Sequence, residues 1–216
     1  VFPTALLGFT LNTFQTGQVS LERVEELLSR RPLISNPVEP EHLDLPVRGD
    51  LEARNLHIRY EGADSDTLDG LNFHIASGEL VAVVGPVGCG KTTLARALGR
   101  MVEVPGGQLF LDGHDLTSLR LDDLREQIAL VPQEGYLFTS SLADNLRYGE
   151  PEAGLQRVEA AAEQARLLAD VRGFPDGMNT LVGERGITLS GGQRQRTALG
   201  RALLLKAPVL VLDDAL

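Results

Sequence analysis

The sequence is poor in several residue types, and each shortage narrows the class of protein. A single cysteine allows no disulfide framework, so a reducing compartment is the default. Cationic residues are outnumbered, with 20 Lys+Arg against 30 Asp+Glu, and a net charge of −10 argues against a nucleic-acid partner. Tryptophan is absent and aromatic residues make up only 5%. Apolar residues still reach 43%, which is enough to bury a core and excludes a disordered chain.

The beginning of the chain lacks charge. Residues 1–21 contain no acidic or basic residue, but polar residues interrupt them, so a complete membrane-spanning run of roughly 18 apolar residues is not present. Apolar residues at three-to-four spacing predict a helix that continues into charged sequence from Glu22. An ordinary amphipathic helix and a helix leaving a membrane both fit this pattern. Prolines spread through residues 32–49 then predict a linker and a domain boundary near residue 49.

Beyond residue 50 the pattern changes to alternating strands and helices. Strands are predicted at 56–60, 71–75, 80–84, 109–111, 128–131 and 209–212, and helices at 94–101, 153–171 and 193–205. The continuous apolar run at 80–84 is typical of a buried central strand. The alternation indicates an α/β layered fold.

The chain contains 23 glycines, which is more than usual, and several of them lie in one loop. Residues 85–92, GPVGCGKT, match the pattern G-x-x-x-x-G-K-[ST] between the predicted strand at 80–84 and a predicted helix. Backbone N–H groups of such a loop and the following helix N-terminus attract phosphate. Lys91 is placed to reach the β- and γ-phosphates, and the Thr92 hydroxyl to ligate Mg²⁺. A glycine-rich turn without a ligand is the simpler alternative.

Two further elements strengthen the interpretation of this loop as a phosphate site. The apolar run 209–212 ends in Asp213, and in P-loop proteins an acid after such a strand holds Mg²⁺. Ser190 is a good helix N-cap, and Gly191 and Gly192 leave backbone N–H groups bare at a helix start, which predicts a second anion site. The residues therefore predict a P-loop domain that binds a magnesium-nucleotide complex.

Residues 189–196, LSGGQRQR, followed by LDD at 212–214, resemble the nucleotide-binding domain of ABC transporters. The resemblance covers about residues 50–216 and includes Tyr60, the LVPQE segment around Gln133 and the TLVGERG segment at 180–186. It implies a P-loop NTPase with a RecA-like core, an antiparallel β subdomain and a helical signature subdomain at about 138–190. Because the chain ends at Leu216, we expect the fold to be truncated before its last elements.

Residues 13–28 resemble the end of the last transmembrane helix of an ABC exporter. This favours an exporter-type protein with fused membrane and ATPase regions, and it favours the membrane-exit interpretation of residues 1–31. The implied location is the cell membrane, with this region on the cytoplasmic side. The implied partners are a second ABC subunit, identical or homologous, and the chain's own transmembrane region. The partner's intracellular loops are expected to face Glu184.

The resemblance also implies roles for individual residues. Tyr60 would stack on adenine, although an ordinary edge-strand aromatic is the alternative. Gln133 would contact Mg²⁺ and the attacking water, and Asp213 would bind Mg²⁺ through water. The residues implied to hold the phosphates of ATP and its Mg²⁺ are Gly85, Gly88, Gly90, Lys91, Thr92 and Thr93. The residues implied to meet the γ-phosphate of ATP on the partner subunit are Ser190, Gly191, Gly192 and Gln193.

One departure from the family pattern concerns catalysis. The family places a glutamate after the strand-ending aspartate as general base, and here Asp214 occupies that position. Its side chain is one methylene shorter, roughly 1.5 Å of reach, and a misplacement of about 1 Å can cost on the order of 100-fold in rate. Asp214, Gln133 and Lys91 are therefore the catalytic candidates of a slow site. The sequence favours the degenerate subunit of a heterodimer, and a slow homodimer is the alternative.

Three classes of function are compatible with a P-loop and this signature. The first is an ATPase that drives solute export. The second is an ATP-binding, hydrolysis-deficient regulatory subunit whose signature completes the partner's site. The third, a soluble ATPase of DNA repair or chromosome maintenance, is disfavoured by the single cysteine and the uncharged first helix. The family's switch histidine follows the last strand present, so we expect the chain alone to bind ATP poorly.

A few other residues receive simpler interpretations. Cys89 lies in the phosphate loop, where a helix N-terminus could activate it or leave it an ordinary thiol. The four histidines show no metal-ligand spacing. Arg194, Arg196 and Arg201 are expected to be solvated or in salt bridges.

Overall fold

The computed structural model describes residues 2–30, 32–183 and 188–214, which form parts of two compact units, 1–35 and 36–216. The boundary lies earlier than the predicted one near residue 49, because the proline-rich segment packs on the second unit. The Leu121 backbone N–H donates to Asn36 Oδ1 at 2.8 Å, and Leu43 and Val47 pack against the main core. The segment is irregular, as its prolines predict, but from residue 36 it belongs to the folded unit.

The first unit is a single helix, α1, which runs from Phe2 to Ser29 as the apolar spacing predicts. Its threonine hydroxyls donate to carbonyls one turn back, for example Thr10 to Leu6 and Thr13 to Phe9, both at 2.9 Å. These polar groups therefore have partners on the helix itself. None of the helices in the described residues combines the length and the apolar character needed to cross a membrane.

In its described residues, the second unit contains two sheets. The larger is antiparallel with strand order β2-β1-β3-β4, and the smaller is a parallel pair of β5 and β6. The strands are β1 Leu51–Ile58, β2 Leu68–Ile75, β3 Leu109–Leu111, β4 His114–Asp115, β5 Ile128–Val131 and β6 Val209–Leu212. The helices of this unit are α2 Lys91–Leu98, α3 Leu121–Gln127, α4 Leu142–Leu146, α5 Leu155–Gln164, α6 Leu168–Val171 and α7 Gly191–Leu205.

Three groups of buried side chains from the described part of the chain hold the unit together. The largest lies under the antiparallel sheet and includes Leu56, Leu109 and Leu124. A second joins α4, α5 and α6 to the end of α7 and draws its residues from 137–204. A small third group packs α7 on β5. A helical layer therefore has its own core, and α7 links that core to the parallel strands that carry the site.

The prediction of a buried strand at 80–84 was wrong. These residues are in no strand of the structure, and Leu80 and Val84 are 98% and 89% exposed. A continuous apolar run becomes a buried strand only when neighbours pair with it and cover both faces. Here β6 pairs with β5, and no described strand pairs with residues 80–84. The glycine loop consequently follows an exposed segment that lies in no strand.

The predicted helix at 153–171 is divided in two. It forms α5 and α6, separated by Arg166 in a left-handed conformation with φ 59°. The Leu167 N–H donates to Ala162 O at 2.8 Å, which closes the turn and lets Leu167 enter the second core completely. The favourable helix composition of the segment is overridden by this tertiary packing.

Candidate nucleotide-binding site

The glycine loop is pressed against the hairpin of β1 and β2. Gly90, the residue before α2, has φ 95°, a left-handed conformation that glycine adopts without strain. A Cβ at this position would lie 2.7 Å from Leu68 Cδ2 and 2.9 Å from Thr67 O. Only glycine fits both the dihedral and the space. The loop can therefore approach the hairpin and still start α2 at Lys91.

Lys91 lies back across the loop that precedes it. Its Nζ donates to Gly85 O at 2.9 Å and to Pro86 O at 3.0 Å. Both acceptors are neutral carbonyls, so the ammonium is held in place without its charge being cancelled. The side chain thus presents a positive charge at the loop where phosphate is predicted.

The phosphate loop and the end of β6 meet through Thr92. Its Oγ1 donates to Asp213 Oδ1 at 3.0 Å, across 121 residues of sequence. Asp213 is fixed by its own backbone, because its N–H donates to Val131 O at 2.9 Å at the end of β5. The pair that the two motifs predict is therefore in contact, with a hydroxyl and a carboxylate side by side.

Asp214 contacts Gln133, another of the three predicted catalytic residues. Gln133 Nε2 donates to Asp214 Oδ2 at 2.9 Å, joining the segment after β5 to the segment after β6. Asp214 has φ 50°, an uncommon conformation for a residue other than glycine. The backbone thus turns immediately after β6. The Asp214 carboxylate lies one residue beyond the Thr92–Asp213 contact.

Tyr60 also lies against the start of α2. Its hydroxyl is 3.2 Å from Thr93 Oγ1, and its side chain remains 40% exposed while Thr93 is buried. It follows β1 rather than belonging to it, so the edge-strand interpretation does not apply. An exposed aromatic ring is thereby tied by its hydroxyl to the helix that begins at the glycine loop.

The second predicted anion site is a helix start with a complete capping box. Ser190 Oγ accepts from the Gln193 N–H at 3.3 Å, and Gln193 Oε1 accepts from the Ser190 N–H at 2.9 Å. Gly191 and Gly192 form the first turn of α7. The side-chain amide of Gln193, predicted to contact nucleotide, is used here within its own subunit.

Asp170 is a functional candidate that the sequence did not indicate. Its carboxylate accepts from Gln193 Nε2 at 3.3 Å and from Arg196 Nη2 at 2.8 Å, so α6 holds the first turns of α7. A single carboxylate in a stretch of helix-forming residues belongs to no sequence motif. Only its contacts in the folded structure identify it as a candidate. Arg196 is thus in a salt bridge, as predicted.

Arg201 differs from its prediction, because its side chain is partly buried and pairs with no carboxylate among the residues that the structure describes. Its guanidinium donates to Asn145 O at 2.9 Å and Tyr136 O at 3.0 Å, and lies over the rings of Phe138 and Tyr148. Burial lowers the pKa of this group. The side chain instead fastens α7 to α4 and to the segment after Gln133. The sequence did not predict this contact, because the aromatic residues lie far from Arg201 along the chain.

Two other predicted residues need separate mention. Glu184, predicted to face the partner's loops, lies outside the described residues. Cys89 is exposed in the glycine loop, with its Sγ 3.8 Å from Lys91 Nζ. A modification of this thiol would therefore occur beside the lysine.

Comparison with known proteins identifies the family of the chain. The ABC transporter family profile matches residues 68–216. The chain is 42% identical over 216 residues to an ATP-dependent lipid A-core flippase of Aromatoleum aromaticum, covering 99% of this chain and 35% of that protein. It is 41% identical over 217 residues to the chloroplastic ABC transporter B family member 29 of Arabidopsis thaliana, covering 99% of this chain and 34% of that protein.

A solved structure is similar as well. A bacterial Atm1-family ABC exporter with ATP bound superposes with a TM-score of 0.87 at 33% identity, over 97% of this chain and 36% of that one. The chain spans about a third of the length of the curated relatives that it matches. The fold is that of an ABC ATPase domain of the P-loop NTPase class, and the chain belongs to the ABC transporter family.

Proposed function

We propose that this chain is the ATP-binding and ATP-hydrolysing region of an ABC exporter, in which hydrolysis drives a solute across a membrane. The observation that carries the proposal is the meeting of distant motifs at one place. Thr92 contacts Asp213, and Gln133 contacts Asp214, across 121 and 81 residues respectively. A fold that needed these segments only for packing would not bring four polar side chains together at the ends of β5 and β6.

The donor set fits Mg²⁺. This ion prefers hard oxygen ligands and keeps several waters, so one or two protein groups beside the phosphates suffice. The Thr92 hydroxyl and the Asp213 carboxylate are such groups, 3.0 Å apart, and the Gln133 side chain, which contacts the adjacent Asp214, carries an amide oxygen. When bound, Mg²⁺ would neutralise charge that develops on the phosphates. We therefore propose that Thr92 and Gln133 would ligate the ion directly and that Asp213 would hold it through a water molecule.

The other residues of the loop bind and orient ATP. The Lys91 ammonium can exchange its carbonyl partners for phosphate oxygens, to which it would donate more strongly because they are charged. The N–H groups around Gly85, Gly88 and Gly90 and the N-terminus of α2 add to the local positive potential. The Thr93 hydroxyl would donate to a phosphate oxygen from the same turn of α2. Tyr60, tied to Thr93 by its hydroxyl, offers its exposed face to the adenine ring.

Asp214 is the proposed general base for the attacking water, and we infer that it works slowly. Its shorter side chain reaches less far than glutamate. Its Oδ2 also already accepts a hydrogen bond from Gln133 Nε2. Gln133 would release this bond and orient the water when the site closes. The chemistry is phosphoryl transfer to water, in which positioning and electrostatics supply most of the catalysis.

A second subunit completes the proposed assembly. The first turn of α7, with Ser190, Gly191 and Gly192, would meet the γ-phosphate of ATP held by the partner subunit. The capping box turns the Ser190 side chain toward Gln193, so the bare N–H groups of the glycines are the principal donors. The remainder of the exporter would lie in the cell membrane, with this region on its cytoplasmic side.

A regulatory subunit is the alternative function, because Asp214 replaces glutamate. In that case the chain binds ATP, and its signature serves the partner's site. The replacement of glutamate by Asp214 also favours a heterodimer over a homodimer. Nucleotide trapping at each site separately distinguishes the alternatives, since a regulatory subunit retains ATP without converting it to ADP.

The Asp214→Glu substitution tests the function in the complete transporter. ATP turnover is measured with the partner's own catalytic glutamate removed, so that only this site reports. We expect turnover to rise, by up to about 100-fold if reach alone limits the site. Asp214→Asn is the matched control, because it keeps the size and removes the base, and it should lower turnover. Equal turnover in the wild type and the Asp214→Glu variant would contradict the role of Asp214.

A further inference from the structure

Three potential metal ligands converge at the hairpin formed by β1 and β2. His57 lies near the end of β1, Asp66 in the connecting loop and Asp69 at the start of β2. His57 Nδ1 is 3.2 Å from Asp66 Oδ2 and 3.2 Å from Asp69 Oδ1. All three ligand atoms lie within 4.8 Å of one another. The sequence showed no metal spacing, because pairing of the strands, and not helical periodicity, brings them together.

The two distances from His57 Nδ1 are compatible with a coordination sphere. Zinc binds histidine nitrogen and carboxylate oxygen at about 2.0–2.2 Å, which places tetrahedral ligand atoms about 3.4 Å apart. The two separations from His57 Nδ1 are close to this value. A single ring nitrogen carries at most one proton, so it cannot give each carboxylate a full hydrogen bond. A cation at the centre would satisfy all three atoms at once.

The surrounding charges also favour a cation. Arg59 Nε donates to Asp66 Oδ1 at 2.6 Å and leaves Oδ2 directed toward His57. Such an outer partner orients a ligating carboxylate. With a neutral imidazole, two carboxylates and one guanidinium leave a net negative charge before an ion binds.

The cluster is accessible from solvent. His57, Asp66 and Glu103 line a cleft of about 370 Å³, and the Asp69 side chain is 81% exposed. An ion can therefore reach the three ligand atoms without the hairpin opening, and water can fill the remaining coordination position. Glu103 adds a further carboxylate to the walls of the same cleft.

We propose that His57, Asp66 and Asp69 form a binding site for a divalent transition-metal ion of the zinc type, separate from the Mg²⁺ site at the glycine loop. The ion would hold together the two ends of the loop 59–67, which contains Tyr60. The proposal does not depend on ATP hydrolysis, since it rests on the geometry of the hairpin alone.

The test measures binding of Co²⁺, a spectroscopic substitute for zinc, to the complete protein at neutral pH. The variants are His57→Ala and Asp69→Asn, with His74→Ala as the matched control. His74 is a β2 histidine that forms an ion pair with one carboxylate, Asp50 at 2.9 Å, and no ion pair with a second carboxylate in the described part of the chain. We expect the wild type and the control to bind one more Co²⁺ per chain than either site variant. Zn²⁺ should raise the Tm of the same two proteins only.

Several outcomes would overturn the proposal. Equal Co²⁺ binding in all four proteins means that no ion occupies this hairpin. Loss of the ion in His74→Ala as well means that the effect is not specific to the cluster. Asp69→Asn changes an exposed side chain and should fold even if His57→Ala does not. Retention of the ion in that variant therefore contradicts the three-ligand site.

Discussion

Asp170 joins α6 to the first two turns of α7, where the signature residues begin. Its Oδ2 accepts from Arg196 Nε at 3.2 Å and from Arg196 Nη2 at 2.8 Å, and its Oδ1 accepts from Gln193 Nε2 at 3.3 Å. Gln193 in turn closes the capping box with Ser190. Asp170→Ala would remove these acceptors together and release the start of α7 from the helical layer.

The loss of stability caused by Asp170→Ala follows from the geometry and the solvent exposure of the contact between Asp170 and Arg196. A hydrogen bond to a charged group contributes about 1.5–3 kcal/mol when it is shielded. The side chains of Asp170 and Arg196 are 24% and 36% exposed, so solvent reduces this value. We expect Asp170→Ala to lower the free energy of unfolding by about 1–2 kcal/mol. A double-mutant cycle with Arg196→Ala should give a coupling of about 1 kcal/mol.

The effect on function should be larger than the effect on stability. A shift of the signature turn by about 1 Å can lower turnover on the order of 100-fold. The glycine loop lies elsewhere, so ATP affinity of the variant's own site should remain unchanged. The assays are steady-state ATP turnover of the complete transporter and binding of a fluorescent ATP analogue. Asp176→Ala is the control, since this nearby acid is exposed and its side chain has no partner among the described residues.

Either of two results would refute this role. Additive effects of Asp170→Ala and Arg196→Ala on unfolding, within about 0.3–0.5 kcal/mol, mean that the pair is not coupled. Turnover equal to that of Asp176→Ala means that the position of α7 does not depend on Asp170. A fall in turnover accompanied by an equal loss of ATP affinity would indicate a general disruption of the fold instead.

The remaining predictions concern the glycine loop and the middle of α7. Gly90→Ala should abolish binding of the ATP analogue, because its Cβ would lie 2.9 Å from Thr67 O in a backbone with φ 95°; affinity within twofold of the wild type would contradict the close approach. Arg201→Lys should lower the free energy of unfolding by about 2–3 kcal/mol in urea titrations. Lysine cannot reproduce the planar contact with Phe138 and Tyr148, and an unchanged midpoint would show that this contact is dispensable.

Motifs made the contacts of the candidate site predictable, although their members are distant in sequence. The glycine loop indicated Thr92, and the acid after an apolar run indicated Asp213. Both motifs describe residues that bind one ligand, so their side chains must lie close together whatever the chain does between them. Their contact at 3.0 Å is therefore expected from ligand chemistry before any fold is known. The bounds of β5 and β6 also agree with their apolar runs.

Features that depend on tertiary packing were not predictable in the same way. The run at 80–84 has the composition of a buried strand, but composition does not specify which strands pair. The break at Arg166 depends on how deeply Leu167 enters the helical core. The contacts of Asp170 and of His57 involve single polar residues without a motif. Each such residue acquires its role from a neighbour brought by the fold, so the sequence alone gives no reason to select it.

The net charge of −10 is compatible with a phosphate site because of how the charges there are paired. Lys91 donates to neutral carbonyls, and the carboxylates of Asp213 and Asp214 accept from the neutral groups of Thr92 and Gln133. A salt bridge between Lys91 and either acid would have cancelled the two charges that the proposed chemistry requires. With neutral partners, the lysine keeps its attraction for phosphate and the acids keep theirs for a metal ion and a proton. The net charge of the whole chain therefore matters less for ATP binding than the separation of charges within the site.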